Sequence, residues 1–131
     1  MTIDTSAVVA ILFEEPEMAE FAFLIEQASR KQMSVVSVLE AAMVLESRNR
    51  DNSADLDMFL HKASIRVVPF DIDQLALARV AFRRYGKGRH PAALNFGDCA
   101  AYALAQWSGE PLLFKGADFA ATDVADAREV R

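Results

Sequence analysis

Cysteine is almost absent from this chain: Cys99 stands alone among 131 residues. No disulfide can form within the chain and no cysteine-built metal site is available, so a reducing cytoplasm is the natural setting. Histidine is nearly as scarce, and His61 and His90 are not at the spacing of a paired-imidazole site. The five glycines and four prolines are scattered, which leaves no repeat, low-complexity tract or linker and fits one domain over residues 1–131. No apolar run approaches ~18 residues, and the first residues lack the basic and apolar parts of a signal peptide, so neither a membrane span nor a targeting segment is expected. Positive charge is in deficit, with 14 Lys and Arg against 19 Asp and Glu and a net charge of −5, which argues against a general nucleic-acid binder.

What is present is the material of a globular core, with 53% of residues hydrophobic and 25% charged. Short β-like stretches at 1–4, 32–36, 65–70 and 112–114 alternate with helical patterns. Thr5 and Ser6 start the first helix, and Pro16 with its acidic neighbours opens the second, which carries Met18, Phe21, Ala22, Ile25 and Ala28 at helical spacing. Phe23 and Leu24 add apolar residues on a further side of that helix, a surplus that fits a crowded core or a protein-docking surface. Ser37 and Glu40 match a capping box at the start of a third helix. After a polar turn at 48–55 comes a helix with Leu56, Phe59, Leu60 and Ala63 on one face. Asp71 opens a long helix that ends in a flexible basic loop at 86–91. Asn95 caps the next helix, with Phe96, Cys99, Ala100, Ala103, Leu104 and Trp107 as its buried stripe and Asp98 as its third residue, a position where free amides and the helix dipole favour an ionised carboxylate. Thr122, Asp123 and Val124 read as a short edge strand. This alternation predicts an α/β fold, a three-layer αβα sandwich around a short, mainly parallel central sheet.

In such folds the carboxyl ends of the strands and the helix starts that follow them gather on one edge, where ligands bind. Asp4, Glu40, Asp98 and Asp118 all map to that edge. Four carboxylates brought together stay ionised only when cations share the site, and oxygen-only ligation points to Mg²⁺ or Mn²⁺. Five of the basic residues, Arg79, Arg83, Arg84, Lys87 and Arg89, crowd into eleven positions without an acid. They form either a solvated face or a local phosphate-binding edge, for which Arg83, Lys87 and Arg89 are the candidate contacts to a nucleic-acid backbone. Metal-held acids beside a phosphate-binding edge are the parts of a nuclease.

Four motifs in this order, Asp4-Thr5-Ser6-Ala7, Ser37-x-x-Glu40, Asn95-x-Gly97-Asp98-x-x-x-Tyr102-Ala103-Leu104-Ala105 and Leu112-Leu113-Phe114-Lys115-Gly116-x-Asp118-Phe119-x-x-Thr122-Asp123, with the loop Tyr85-Gly86-Lys87-Gly88-Arg89-His90-Pro91 between them, resemble the PIN-domain ribonuclease toxins called VapC over essentially the whole chain. The resemblance implies a Mg²⁺- or Mn²⁺-dependent endoribonuclease of structured RNA such as tRNA or rRNA, usually a homodimer, inhibited by a VapB-like antitoxin. Carried over by position, it makes Asp4 and Asp98 the principal metal ligands and Glu40 and Asp118 the rest of a catalytic quartet, with Ser6 as a supporting hydroxyl and Asp123 as an auxiliary acid.

Two other classes stay open at this level. A phosphoacceptor receiver module is also a small α/β domain and could use Asp71 and Lys115, although it wants adjacent acids after its first strand. A catalytically silent binding module would use the acids as helix caps alone.

Overall fold

The structure, a computed structural model, describes residues 1–48 and 53–129. Four strands, β1 (Thr2–Ile3), β2 (Gln32–Ser34), β3 (Arg66–Val68) and β4 (Leu112–Leu113), form one parallel sheet in the order β3-β2-β1-β4. Thr2 is in register with both Gln32 and Leu112, and Met33 with Val67. Among the described residues six α-helices enclose the sheet: α1 (Thr5–Leu12), α2 (Met18–Gln27), α3 (Val35–Ser47), α4 (Ser53–Lys62), α5 (Ile72–Tyr85) and α6 (Phe96–Ser108). Strands this short are held by what covers them, and β1 and β4 are buried throughout, as parallel strands between helices must be. The expected α/β architecture is the observed one.

The chain builds from β1 outward to β3, and α5 and α6 then carry it back to the far side of β1. The strand order therefore reverses between β1 and β4, so the residues that follow these two strands face the natural binding crevice. One apolar cluster joins Ile3, Val8, Phe21, Ile25, Met33 and Leu45 among β1, β2 and α1 to α3. A second joins Ala81, Tyr85, Leu94, Tyr102, Phe114 and Phe119 around α5 and α6.

Several local expectations are corrected. Val35 and Val36 do not continue β2; they are the first turn of α3, because Ser34 caps it, its Oγ accepting from Val36 N at 3.2 Å. Ser37 is consequently buried inside the helix, and its hydroxyl makes no capping bond. Helix α6 has no single apolar stripe, since every residue from Cys99 to Ala105 is buried, while Phe96 is 84% and Trp107 46% exposed. Alanines at 100, 101, 103 and 105 let this helix lie close to its neighbours on all sides, and Gly109 ends it with a left-handed φ of 73°. Thr122, Asp123 and Val124 form no strand, because Thr122 Oγ1 donates to the Phe119 carbonyl at 2.7 Å and turns the chain; Asp126 instead bridges to Leu112. The basic loop is a hydrogen-bonded turn, closed by Leu94 N donating to Tyr85 O at 2.9 Å and Lys87 N to Leu94 O at 3.0 Å. On α2, Phe21 and Ile25 belong to the core and Phe23 is exposed. The turn expected at 48–55 lies partly outside the described residues. Among the described residues, no helix is long and apolar enough to cross a membrane.

Candidate active site

Asp4 is fixed by both elements that it joins. Its N–H donates to Leu113 O at 2.9 Å, which extends the pairing to β4, and its carboxylate caps α1, Oδ2 accepting from Ser6 N at 3.0 Å and from Ser6 Oγ at 2.6 Å. Ser6 Oγ accepts in turn from Lys115 N at 2.9 Å, so one hydroxyl ties the end of β4 to the acid after β1. The other carboxylate oxygen, Asp4 Oδ1, is buried and has no hydrogen bond. Glu40 stands in the second turn of α3, where its carboxylate lies over Gly97 of α6. A Cβ built on Gly97 would sit 2.4 Å from Glu40 Oε2, so a glycine is needed for this approach. Asp98 completes a capping box with Asn95: its N–H donates to Asn95 Oδ1 at 2.9 Å and its Oδ2 accepts from Asn95 N at 3.0 Å. Asp4, Ser6, Glu40 and Asp98 line one cleft of about 400 Å³, shared with Glu15, Arg48 and Lys115.

Burial governs the charge state here. It raises Asp4 from 3.8 to about 7, against the two Ser6 bonds, with the charges of Asp98 and Glu40 adding to the rise. Asp98 is raised to about 6, first by burial, against the Asn95 amide, and then by Glu40 and Asp118. The helix start expected to hold Asp98 ionised is thus outweighed by desolvation and like charge. Oxygen is the only donor type that these acids offer, and a cleft of about 400 Å³ lined by them leaves room for a hard divalent cation bound by one or two carboxylates and several waters. Among the described residues no three acid, cysteine or histidine side chains already close on a common point, as a preformed cage would require. The residues fit a cation of the Mg²⁺ class rather than a closed structural site.

The other candidates are placed differently. Asp118 is exposed beyond β4 and does not line the cleft, although its charge reaches Asp98. Asp123 accepts a 2.5 Å hydrogen bond from Tyr102 OH and lies 3.7 Å from Arg84, so it latches the chain end to α6 outside the cleft. Arg83, Lys87 and Arg89 are exposed and none of them lines the cleft. Arg79 and Arg83 border an apolar groove of about 510 Å³ with Leu75, Phe82 and Phe96, and Arg89 lies 5.7 Å over the Phe82 ring. Asp71 caps α5, accepting from Gln74 N at 2.9 Å beyond β3, far across the sheet order from Asp4, which leaves a receiver-type site without its acids. Lys115 lies within the last motif and has an assigned role only in the receiver-type alternative, yet it stands one step past the Phe114 that follows β4, where the strand-end rule places a site residue. Arg48 and Glu15 carry no comparable signal, since packing alone brings the end of α3 and the α1–α2 turn to the cleft.

A short parallel sheet of this order, enclosed by helices, has counterparts among known proteins. The PIN domain family model matches residues 1–125, and the chain belongs to that family. Within it the similarity is to VapC proteins: 52% identity over 126 residues to Ribonuclease VapC of Mycolicibacterium smegmatis, covering 95% of this chain and 98% of that protein. Ribonuclease VapC30 of Mycobacterium tuberculosis is 49% identical over 126 residues, covering 95% of this chain and 96% of its own. Among solved structures, the Sarcin-Ricin loop cleaving toxin VapC20 of Mycobacterium tuberculosis superposes with a TM-score of 0.77 at 18% identity, covering 99% of this chain and 98% of that one, a likeness of fold. A toxin-antitoxin complex from Klebsiella pneumoniae gives 0.68 at 16% identity, covering 98% of each chain.

Proposed function

We propose that this chain, as one PIN domain over residues 1–131, is an endoribonuclease toxin that hydrolyses phosphodiester bonds at the Asp4–Glu40–Asp98 cleft with Mg²⁺ or Mn²⁺. The observation that carries the proposal is Asp4 Oδ1, a buried carboxylate oxygen without a hydrogen bond in a cleft that Glu40 and Asp98 also line. Asp4 and Asp98 are the direct ligands in this reading. Glu40 faces the same space and orients the attacking water, Asp118 adds charge at the rim, and Ser6 holds Asp4 in place. When bound, such a cation supplies an activated water and neutralises charge on the phosphate and the leaving oxygen. The relatives named as ribonucleases support RNA as the substrate, and the Sarcin-Ricin loop specificity of VapC20 makes structured RNA, tRNA or rRNA, the class to test first. Cleavage is expected in Mg²⁺ or Mn²⁺ and lost in chelator; undiminished cleavage in excess EDTA overturns the metal mechanism.

Assembly belongs to the same reading. Leu39 (62% exposed), Met43 (61%) and Phe96 border one groove beside Glu40, and Phe96 with Leu75 and Phe82 borders the next. So large an apolar surface next to the cleft supports a second copy of the chain as its cover. Phe96→Asp should yield a monomer in sedimentation analysis. A VapB-like antitoxin is proposed to silence the toxin in the cytoplasm, with exposed Phe23 of α2 as a contact; because Phe21 is core, Phe23→Asp alone is the appropriate test of that surface.

A further inference from the structure

Lys115 is brought to the acid cleft by its backbone, while its side chain is occupied by acids that the proposed chemistry does not use. Its N–H donates at 2.9 Å to Ser6 Oγ, the same hydroxyl that donates to Asp4 Oδ2 at 2.6 Å, so a single side chain separates Lys115 from the buried carboxylate. Its ammonium pairs with Glu15 at 3.1 Å and Glu17 at 3.3 Å. Both glutamates come from the α1–α2 turn, which is tightly wound: Glu14 takes a left-handed φ of 53°, Glu15 N donates to Ala10 O at 2.8 Å and Met18 N to Glu15 O at 2.9 Å. Arg48 reaches the same Glu15 at 4.0 Å from the end of α3. Glu17 Oε1 is buried without a partner, so the glutamates are imperfectly satisfied even in this arrangement. The side chains of Lys115, Glu15 and Glu17 are 36%, 26% and 29% exposed, and ion pairs so open to water contribute little to stability.

We infer that Lys115 is a substrate-phosphate contact of the cleft, and that Glu15 and Glu17 occupy its ammonium in the free protein and are exchanged for the RNA backbone when RNA enters. An ammonium with three donors can turn from the glutamates to a phosphate without moving its backbone anchor, and an entering polyanion repels the two carboxylates that it replaces. The glutamates then act as a brake on RNA binding, and the brake works through Lys115. This inference rests on the cleft being the RNA-cleaving site.

The test is binding of a labelled RNA stem-loop to the full-length protein in excess EDTA, where nothing is cleaved, across a salt series. Lys115→Gln should weaken binding about tenfold and lower the salt slope by roughly 0.7–0.9, one contact's worth, while Lys115→Arg restores the slope. Glu15→Gln with Glu17→Gln should tighten binding severalfold when Lys115 is present and far less in the Lys115→Gln background. Equal tightening in both backgrounds is a general charge effect and overturns the inference, as does an unchanged slope in Lys115→Gln while the unsubstituted protein binds. If Lys115→Gln does not fold, the glutamate pair is compared with a charge-matched exposed pair on α2, Glu20→Gln with Glu26→Gln: tighter binding for Glu15→Gln with Glu17→Gln than for the control supports the inference, and equal binding of the two overturns it. No RNA binding by the unsubstituted protein overturns the active-site reading together with the inference.

Discussion

The acids and the bases of this chain behave in opposite ways on folding. Asp4, Glu40 and Asp98 are far apart in sequence and meet in one cleft, whereas Arg79, Arg83, Arg84, Lys87 and Arg89, neighbours in sequence, are parted. Arg79 and Arg83 turn to the apolar groove, Arg84 to Asp123 and the Tyr85 ring, and Arg89 to Phe82. The difference lies in what positions each group. The acids sit on a strand end and on buried helices, whose placement is set by register and core packing. The bases ride an exposed helix surface and a turn, where residues four apart such as Arg79 and Arg83 share a face and immediate neighbours such as Arg83 and Arg84 diverge. Convergence of distant residues is therefore the better sign of a site than a local run of charge.

The largest expected effect breaks the convergent set. Asp98→Asn should lower metal-dependent RNA cleavage by at least about a hundredfold, since loss of a ligand exceeds the cost of losing its supporting bonds. In chelator the same variant should melt no lower than the unsubstituted protein, because a like charge is removed and Asn can still accept from the Asn95 amide. A clear drop in its metal-free melting temperature would return Asp98 to a purely structural role. Next comes Gly97→Ala. Its methyl would meet the Glu40 carboxylate at 2.4 Å, and Glu40 can swing aside, so cleavage should fall roughly tenfold or more while stability holds or rises by about 0.5–1 kcal/mol as glycine leaves the helix. Unaltered cleavage would show that the placement of Glu40 over α6 is immaterial.

A smaller effect concerns pH. The folded-state value of Asp4, about 7, lies above its ordinary 3.8, so folding favours the protonated acid. That contribution is complete below about pH 4 and is lost as pH rises through about 7, so the metal-free protein should melt lower at the upper end of this window. Asp4→Asn should flatten the slope; equal slopes in the two proteins would remove Asp4 as its source. The smallest effect is expected from the divergent set. Joint replacement of Arg83, Lys87 and Arg89 by Gln should reduce the salt slope of RNA binding by about 0.7–1.8, one or two contacts rather than three, because none of them lines the cleft. A drop of three contacts' worth would mean that the bases converge on RNA after all.

Alternation of strands and helices was legible because apolar runs of strand length stood between helical patterns, and the acidic edge followed from it. Three details were not. At Ser34 and Ser37 two capping residues compete, and the valines between them look like strand until the helix is seen to begin there. On α6 the alanines read as neutral, so a helix buried on all sides has the pattern of one with a single stripe, a pattern that would put exposed Phe96 in the core. Thr122, Asp123 and Val124 have the look of an edge strand, but the Thr122 hydroxyl turns the chain and sends Asp123 to Tyr102. Each miss lies where tertiary packing, rather than local preference, decided the outcome.

Cys99 offers a practical handle on this molecule. It sits one residue beyond Asp98, buried beneath the groove that Phe96 borders, and burial with the neighbouring Asp98 pushes its thiol up to about 11. Only a trace of thiolate exists at neutral pH, so alkylation proceeds when the start of α6 opens to reagent and water. As the sole sulfhydryl of the chain it needs no engineering: mass spectrometry of one labelled peptide would time that opening, with and without a cation, directly beside the acid cleft.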